Sequence, residues 1–441
     1  MDKFIIKGGI KLKGKIDVSG AKNVAMKVIL AGILTDKPLI ISNVPLISSV
    51  YGTADIVEQL GVKVKIGSDH TLRIKGDGIK NYKVPLELGG LYRTATMVMG
   101  PLLSRFGKAI VPNPGGCRLG KRPIDRHING LKAMGAKIIQ KEGFFSAQCH
   151  RLHGIRYKFE SNSHTGTEAL ILAAVLAEGE TVLENAAEEP EVDNLILLLL
   201  QMGAKIKRMK KRTIVINGVK KLSGAEFRIM PDRNEVVTFA VSTIASGGDV
   251  VVNGTERENL RAFLDKLDQA SAGWEPISAH KTRFYANKKL QPTDVITRIH
   301  PGFMTDWQGP WAILMTQADG ISTIHETIFE DRFGYVSEVR KMGAKIDFFE
   351  PKVESPRNYY NFNWSDKKKN CYQAIKITGP SKLHDAILDV ADLRAGATLV
   401  IGALIARGTS IIHGIDHIDR GYEKIEERLA SLGADIKRVR V

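Results

Sequence analysis

One cysteine of this 441-residue chain sits among cations and turn-forming residues. Pro112 to Asp125 reads PNPGGCRLGKRPID, with Arg118, Lys121 and Arg122 beside Cys117 and with Gly115, Gly116 and Gly120 loosening the backbone. Positive charge near a thiol favours the thiolate, its reactive form. A pliable cationic loop also suits a lid over an anionic substrate. The same composition is equally that of a small apolar residue in a turn. The segment alone therefore leaves Cys117 either as a catalytic thiol or as an inert one.

Other loops carry ionisable groups between strand-like and helix-like segments. Asp306 lies in PGFMTDWQGP, Glu330-Asp331-Arg332 in IFEDRF, and Asp392-Leu393-Arg394 in ADLRAGA. Each is a solvated turn when read singly. Taken together, a thiol, carboxylates and arginines point to transfer chemistry on a phosphorylated or carboxylated substrate. His413 to Tyr422 (HGIDHIDRGY) is either a loop capping the next helix through Asp419 or an anion clamp built on Arg420. Cys149, His150 and His153 could begin a metal set, but no fourth ligand follows at a suitable spacing, so no metal is expected. Gly20-Ala21-Lys22-Asn23 fails the P-loop pattern and no dinucleotide fingerprint occurs, so no cofactor is expected.

The elements that must position these loops come from an internal repeat. Leu60-Gly61-Val62-Lys63 recurs as Met134-Gly135-Ala136-Lys137, Met202-Gly203-Ala204-Lys205, Met342-Gly343-Ala344-Lys345 and Leu432-Gly433-Ala434-Asp435, with a worn copy at Ala270-Ser271-Ala272-Gly273. Around each copy the pattern predicts an apolar helix closed by a glycine turn, a short strand, a polar loop, a second helix and an alternating strand. Tyr422 to Leu429 exemplifies the second helix. Runs such as Ala169 to Ala177 are apolar all round, which marks helices hidden from solvent. Six α/β units follow, closed in two groups of three or strung as an open solenoid. Phe349 to Asn370 lengthens the last interval and reads as an extended hairpin or loop without chemistry; Cys371 after it reads as structural.

Composition bounds the rest. A hydrophobic share of 43% with 25% charged residues is that of a soluble globular chain, and no apolar run approaches a bilayer span. Three widely spaced cysteines argue against a disulfide framework and, with no secretion signal at the start, give a cytoplasmic expectation. The net charge of +16 invites nucleic acid as a partner, but the basic runs Lys207 to Arg212 and Lys367 to Lys369 lack interleaved stacking aromatics, so none is expected.

The motifs then become recognisable together: Ser19-Gly20-Ala21-Lys22-Asn23; Pro114-Gly115-Gly116-Cys117 with Arg122-Pro123-Ile124-Asp125 and His127; Pro231-Asp232-Arg233; Thr305-Asp306; Phe329-Glu330 with Arg332-Phe333; Asp392-Leu393-Arg394-Ala395; and His417 to Tyr422. In order and across the whole chain they resemble the enolpyruvyl transferase family, in the branch that acts on UDP-N-acetylglucosamine. The resemblance implies a two-domain inside-out α/β barrel built from six βαβαββ units. It puts 21–230 in one domain and 1–20 plus 231–441 in the other, with crossings near Gly20 and near Ile229 to Arg233.

It also implies a reaction. The 3-hydroxyl of UDP-N-acetylglucosamine adds to C2 of phosphoenolpyruvate, and phosphate leaves a tetrahedral intermediate, the committing step toward peptidoglycan and hence toward cell-wall growth, cell shape and division. Cys117 would donate the proton, form an adduct with phosphoenolpyruvate and be the target of fosfomycin. Asp306 would be the general base. Lys22, Arg122 and Arg420 would hold phosphate and carboxylate, supported by Arg93 and Arg394. Asn23 would orient the sugar, and Arg122, Pro123, Ile124, Asp125, Ser163, His164, Thr165 and Ile328 would line the nucleotide pocket. His127, Thr305, Glu330, Arg332 and Asp392 complete the implied substrate-binding set. The implied partners are these two small molecules, with no membrane insertion and a monomer or weak homo-oligomer. Met304, Gly309-Pro310, Val237 and Thr94-Ala95 depart from the family pattern. The readings to be separated are transfer to shikimate 3-phosphate, as in the sister synthase of 5-enolpyruvylshikimate 3-phosphate, and a basic repeat protein that binds nucleic acid.

Overall fold

A computed structural model describes residues 2–113, 124–287 and 289–440. The chain divides into two compact units, one of residues 20–113 and 124–230, the other of 2–19 and 231–440. Each has its own hydrophobic core.

The repeat read from the sequence is visible in the backbone. Six helices, Ser48–Gln59, Asp125–Ala133, Pro190–Gln201, Arg261–Gln269, Val336–Lys341 and Ile425–Ser431, each end two residues before a left-handed position. Those positions are Gly61, Gly135, Gly203, Ser271, Gly343 and Gly433, with φ of 101°, 100°, 94°, 56°, 90° and 97°. Glycine enters this region without steric cost, and the reversal lets the freed carbonyls of the last turn be satisfied. Two residues further on a strand begins in every case: Lys63–Ile66, Lys137–Lys141, Lys205–Lys210, Gly273–Ser278, Lys345–Phe349 and Asp435–Val439.

The described residues form five four-stranded sheets and one of three strands. In the four-stranded sheets a linking strand pairs in parallel with the strand that follows a buried helix. That strand then leads into an antiparallel pair, as in Ile387–Asp389, Thr409–His413, Lys3–Lys7, Asp435–Val439. The N-terminal strand therefore completes the last repeat. In the three-stranded sheet a single parallel bridge from Lys83 to Ile110 stands where the linking strand would be.

Helices facing apolar neighbours on all sides occupy the centre. In one unit every residue from Arg233 to Ile244, from Gln308 to Met315 and from Leu393 to Leu404 is buried, and these three helices pack on one another. Gly309 permits that approach: a Cβ there would lie 2.2 Å from Thr398 Oγ1. Pro310 is tolerated because it falls in the first turn, where a missing N–H leaves no bond unmade. Among the described residues no helix is long and apolar enough to cross a membrane.

Two local expectations are corrected. The helix expected from Tyr422 begins at Ile425, after Lys424 at a φ of 41°. Asp419 does not cap it; Asp416–Asp419 is a separate helical turn, and the Asp419 carboxylate binds Arg438 at 2.6 and 3.0 Å. Phe349 to Asn370, expected as a hairpin or a loop, lies between the antiparallel strands Lys345–Phe349 and Ala374–Gly379. It is a loop with helical turns at Pro356–Tyr359 and Trp364–Asp366, and it buries Tyr360 and Phe362.

Candidate active site

In the unit of 2–19 and 231–440, Thr305–Trp307 forms one 3-10 turn that runs straight into the buried Gln308–Met315 helix. Both flanks of Asp306 are anchored. Trp307 donates its indole N–H to Asn234 Oδ1 at 3.0 Å, and Thr305 donates its hydroxyl to Glu326 at 2.8 Å. Asp306 Oδ1 accepts from Arg332 Nη2 and Oδ2 from Arg394 Nε, both at 3.0 Å. Arg332 also reaches Asp392 Oδ1 at 3.4 Å. Asp392 caps the Leu393–Ile405 helix, accepting from the N–H of Arg394 at 2.9 Å and of Ala395 at 3.2 Å, a favourable place for a carboxylate. Arg394 Nη1 donates to the Tyr422 hydroxyl at 3.0 Å, which is bonded at 2.8 Å to Thr238.

Charge pairing decides the protonation of this network. Burial alone would discharge Arg332, but Asp392 and then Asp306 outweigh it and hold its pKa above the ordinary value. Arg394 is likewise buried and likewise raised, here by the Tyr422 oxygen and Asp306. Glu326 moves the other way for a carboxyl: burial raises it despite N–H donors at Ile328 and Phe329. The two arginines are thus fixed cations. The Asp306 side chain stays 23% exposed while that of Arg332 is 3% exposed.

Ile328 and Glu330 lie on the segment after this turn. The Ile328 N–H is held by Glu326 at 2.7 Å, and the buried Glu330 has its carbonyl bound by Gln373 at 3.0 Å. The loop of 349–370 braces the same segment: Asn361 N–H donates to the Thr327 carbonyl at 2.8 Å, and Tyr360 stacks on Trp364 with centroids 4.9 Å apart. Arg420 follows the Asp416–Asp419 turn, two residues before Tyr422.

In the other unit Lys22 and Asn23 open the Lys22–Ala31 helix, and Arg93 precedes the turn of Thr94–Met97. Asp125 starts the Asp125–Ala133 helix just after Ile124, and Ser163 caps His164–Ala174 by accepting from Gly166 N–H at 3.1 Å. The His127 ring is buried on the Asp125–Ala133 helix. Burial, followed by the charges of Arg93 and Arg126, pushes its pKa down to about 3, so it stays neutral. Thr94, one of the departures, bonds Thr53 at 3.1 Å. Cys117, Arg122 and Pro123 lie outside the described residues. Among those described, no group of three or more His, Cys, Asp or Glu is placed to hold a metal ion.

Sequence reasoning missed two residues here. Lys27 Nζ lies 2.9 Å from Glu168 Oε2, and Glu168 Oε1 lies 3.2 Å from His164 Nε2, with Lys27 and Glu168 all but inaccessible. The signal was a charge inside each of two apolar helices, KNVAMKVILA and HTGTEALILAA.

A cationic cage around an aspartate, on repeated α/β units, is the equipment of a group-transfer enzyme acting on anions. Residues 6–429 match the family described as EPSP synthase (3-phosphoshikimate 1-carboxyvinyltransferase). The fold is shared with the enolpyruvyl transferase NikO from Streptomyces tendae, at 22% identity and a TM-score of 0.86 over 99% of each chain. It is shared also with EPSP synthase from Acinetobacter baumannii, at 19% identity and a TM-score of 0.73 over 100% of each. The chain belongs to this carboxyvinyltransferase family. Within it, the chain is 41% identical to UDP-N-acetylglucosamine 1-carboxyvinyltransferase of Koribacter versatilis, over 100% of this chain and 97% of that one. It is 42% identical to the proteins of that name from Desulforapulum autotrophicum and Geotalea daltonii, over 100% of both chains in each pair.

Proposed function

We propose that this protein transfers the enolpyruvyl group of phosphoenolpyruvate to the 3-hydroxyl of UDP-N-acetylglucosamine and releases phosphate. The observation that carries the reading is the Asp306 carboxylate gripped by Arg332 and Arg394, in a chain whose full-length relatives bear that activity as their name. The hydroxyl oxygen bonds to C2 as a proton reaches C3. The tetrahedral adduct then expels phosphate as C3 gives up a proton and the double bond returns. Asp306 takes the hydroxyl proton and Cys117 serves C3; acid–base partners of this kind contribute roughly 10²–10⁴-fold each. Lys22, Arg93, Arg122, Arg394 and Arg420 meet the phosphate and carboxylate charges. Asn23, Pro123, Ile124, Asp125, His127, Ser163, His164, Thr165, Thr305, Ile328, Glu330, Arg332 and Asp392 shape the sugar-nucleotide site or hold those that do.

The same reading makes each unit three βαβαββ repeats closed around their own buried helices, supported by the shared strand order of the sheets and the recurring left-handed turns. It places the enzyme in the cytoplasm, feeding cell-wall synthesis, and makes it a fosfomycin target. The test is phosphate release from phosphoenolpyruvate, first with UDP-N-acetylglucosamine and then with shikimate 3-phosphate. Release with the first acceptor alone is expected. Release only with the second reassigns the substrate, and release with neither defeats the transferase reading.

A further inference from the structure

Two ionic side chains buried in apolar helices need a reason. Removing a lysine and a glutamate from water costs more than their mutual attraction commonly returns, and a hydrophobic pair of similar volume is often as stable or more so. Lys27 and Glu168 come from different central helices, Lys22–Ala31 and His164–Ala174, and are 2% and 0% exposed. Their bridge does not end there. Glu168 uses Oε2 for Lys27 at 2.9 Å and Oε1 for His164 Nε2 at 3.2 Å. His164 is 21% exposed, so the chain of contacts runs from the core to an imidazole at the surface of the unit.

We propose that Lys27 and Glu168 are positioning residues that fix the orientation and charge of His164, so that its remaining ring N–H binds an anionic oxygen of the sugar nucleotide's diphosphate. The inference rests on the function proposed above and adds the means by which this chain holds the nucleotide.

Charge balance agrees. The groups that act on His164 are Glu168 on its own helix, Lys27 on the neighbouring one, and Glu189 at the entry to Pro190–Gln201. Glu189 is also buried, and its Oε2 has no hydrogen-bond partner among the described residues. With His164 protonated, two cations face two carboxylates; with it neutral, the cluster keeps an uncompensated negative charge. Burial disfavours the imidazolium, yet Glu168 outweighs it and the His164 pKa is raised. His127 nearby stays neutral and adds no competing charge. A charged donor held in one orientation gives the stronger kind of hydrogen bond to an anionic oxygen.

The test is the double variant Lys27→Met/Glu168→Met, which replaces the pair by apolar groups of similar size. The KM for UDP-N-acetylglucosamine should rise roughly tenfold, the worth of one charge-assisted bond, while kcat and the KM for phosphoenolpyruvate change less than about twofold. In the wild type that KM should also climb as pH passes the raised His164 pKa, a step displaced to lower pH in the variant. NMR titration of the His164 ring in the free protein reads the same shift without any turnover. An unchanged nucleotide KM, or a His164 titration that is the same in both proteins, overturns the inference. A wild type inert with UDP-N-acetylglucosamine removes instead the reading it rests on, and the inference falls with it.

Discussion

Asp306 and Arg394 face each other across 3.0 Å, carboxylate Oδ2 to guanidinium Nε, while Arg332 holds the other carboxylate oxygen at the same distance. The aspartate is thereby oriented and kept ionised, as a base must be before it can accept a proton. Asp306→Asn preserves the shape and loses the acceptor. Its kcat should fall by roughly 10²–10⁴-fold with little change in either KM. A variant retaining more than a tenth of the wild-type kcat would contradict the assignment; circular dichroism and a melting curve check that the fold is kept.

Arg332 should behave differently from Asp306, because it serves structure as well as charge. It joins Asp306 to Asp392, the cap of a central helix, from a side chain that is 3% exposed. Removing one member of a buried ion network leaves the others unpaired, at a cost of about 3–5 kcal/mol. Arg332→Met should therefore lower both the thermal midpoint and the activity, whereas Asp306→Asn lowers activity first. Equal midpoints for Arg332→Met and wild type would show that the network adds nothing to folding.

Thiol chemistry offers a selective readout. Cys149 and Cys371 have pKa values raised by burial, which keeps them as unreactive thiols near neutral pH. Cys117 is followed in sequence by three cations, Arg118, Lys121 and Arg122. Fosfomycin should alkylate Cys117 alone, and Cys117→Ser should end labelling. Peptide mapping that finds the label on Cys149 or Cys371 would reject Cys117 as the reactive residue.

His127 predicts a stability effect with a definite sign. Its pKa in the fold is about 3, against 6.5 when unperturbed. As pH drops below 6.5 the unfolded chain gains a proton that the folded one refuses, so stability is full above that pH and is lost on the way down toward 3. Between pH 6.5 and 5 most carboxylates remain ionised. His325, lowered to about 4, adds a change of the same sign and the raised His164 one of the opposite sign. The His127 share is therefore read as the difference between wild type and His127→Gln. Denaturation midpoints of the wild type should fall through this window. Those of His127→Gln should fall less, and parallel curves would rule out the buried neutral histidine as the cause.

Much of this was legible because it was repeated. The left-handed turn needs glycine, so its position survived in five of six copies and gave the period away. The central helices showed as largely apolar runs because all their faces are buried, and the few polar residues they carry are buried too. What stayed hidden was pairing at a distance. Asp306, Arg332, Asp392 and Arg394 each read as turn residues, since their spacing along the chain says nothing about which loops meet. Asp419 looked like a cap until Arg438, 19 residues on, proved to be its partner. Lys27 and Glu168 went unread for the same reason, each a lone charge whose partner lies on another helix.

Ser271 is the exception in the repeat, and it tests what the turn requires. It holds a φ of 56° where the five other copies place glycine. A side chain in this region brings Cβ toward the following carbonyl, at a cost of about 1–2 kcal/mol. Ser271→Gly removes that strain but makes the unfolded chain more flexible, which takes back about 0.4–1 kcal/mol. The net expectation is a small gain in stability, a rise of the unit's thermal midpoint of roughly 1–4 °C. Gly343→Ala is the converse experiment. Its φ is 90°, and an added Cβ would also meet His384 at 3.1 Å. Strain and crowding act together there, so the midpoint should fall by more than Ser271→Gly raises it. If both substitutions leave calorimetric midpoints unchanged, the left-handed turn is not what holds each outer helix to the strand after it.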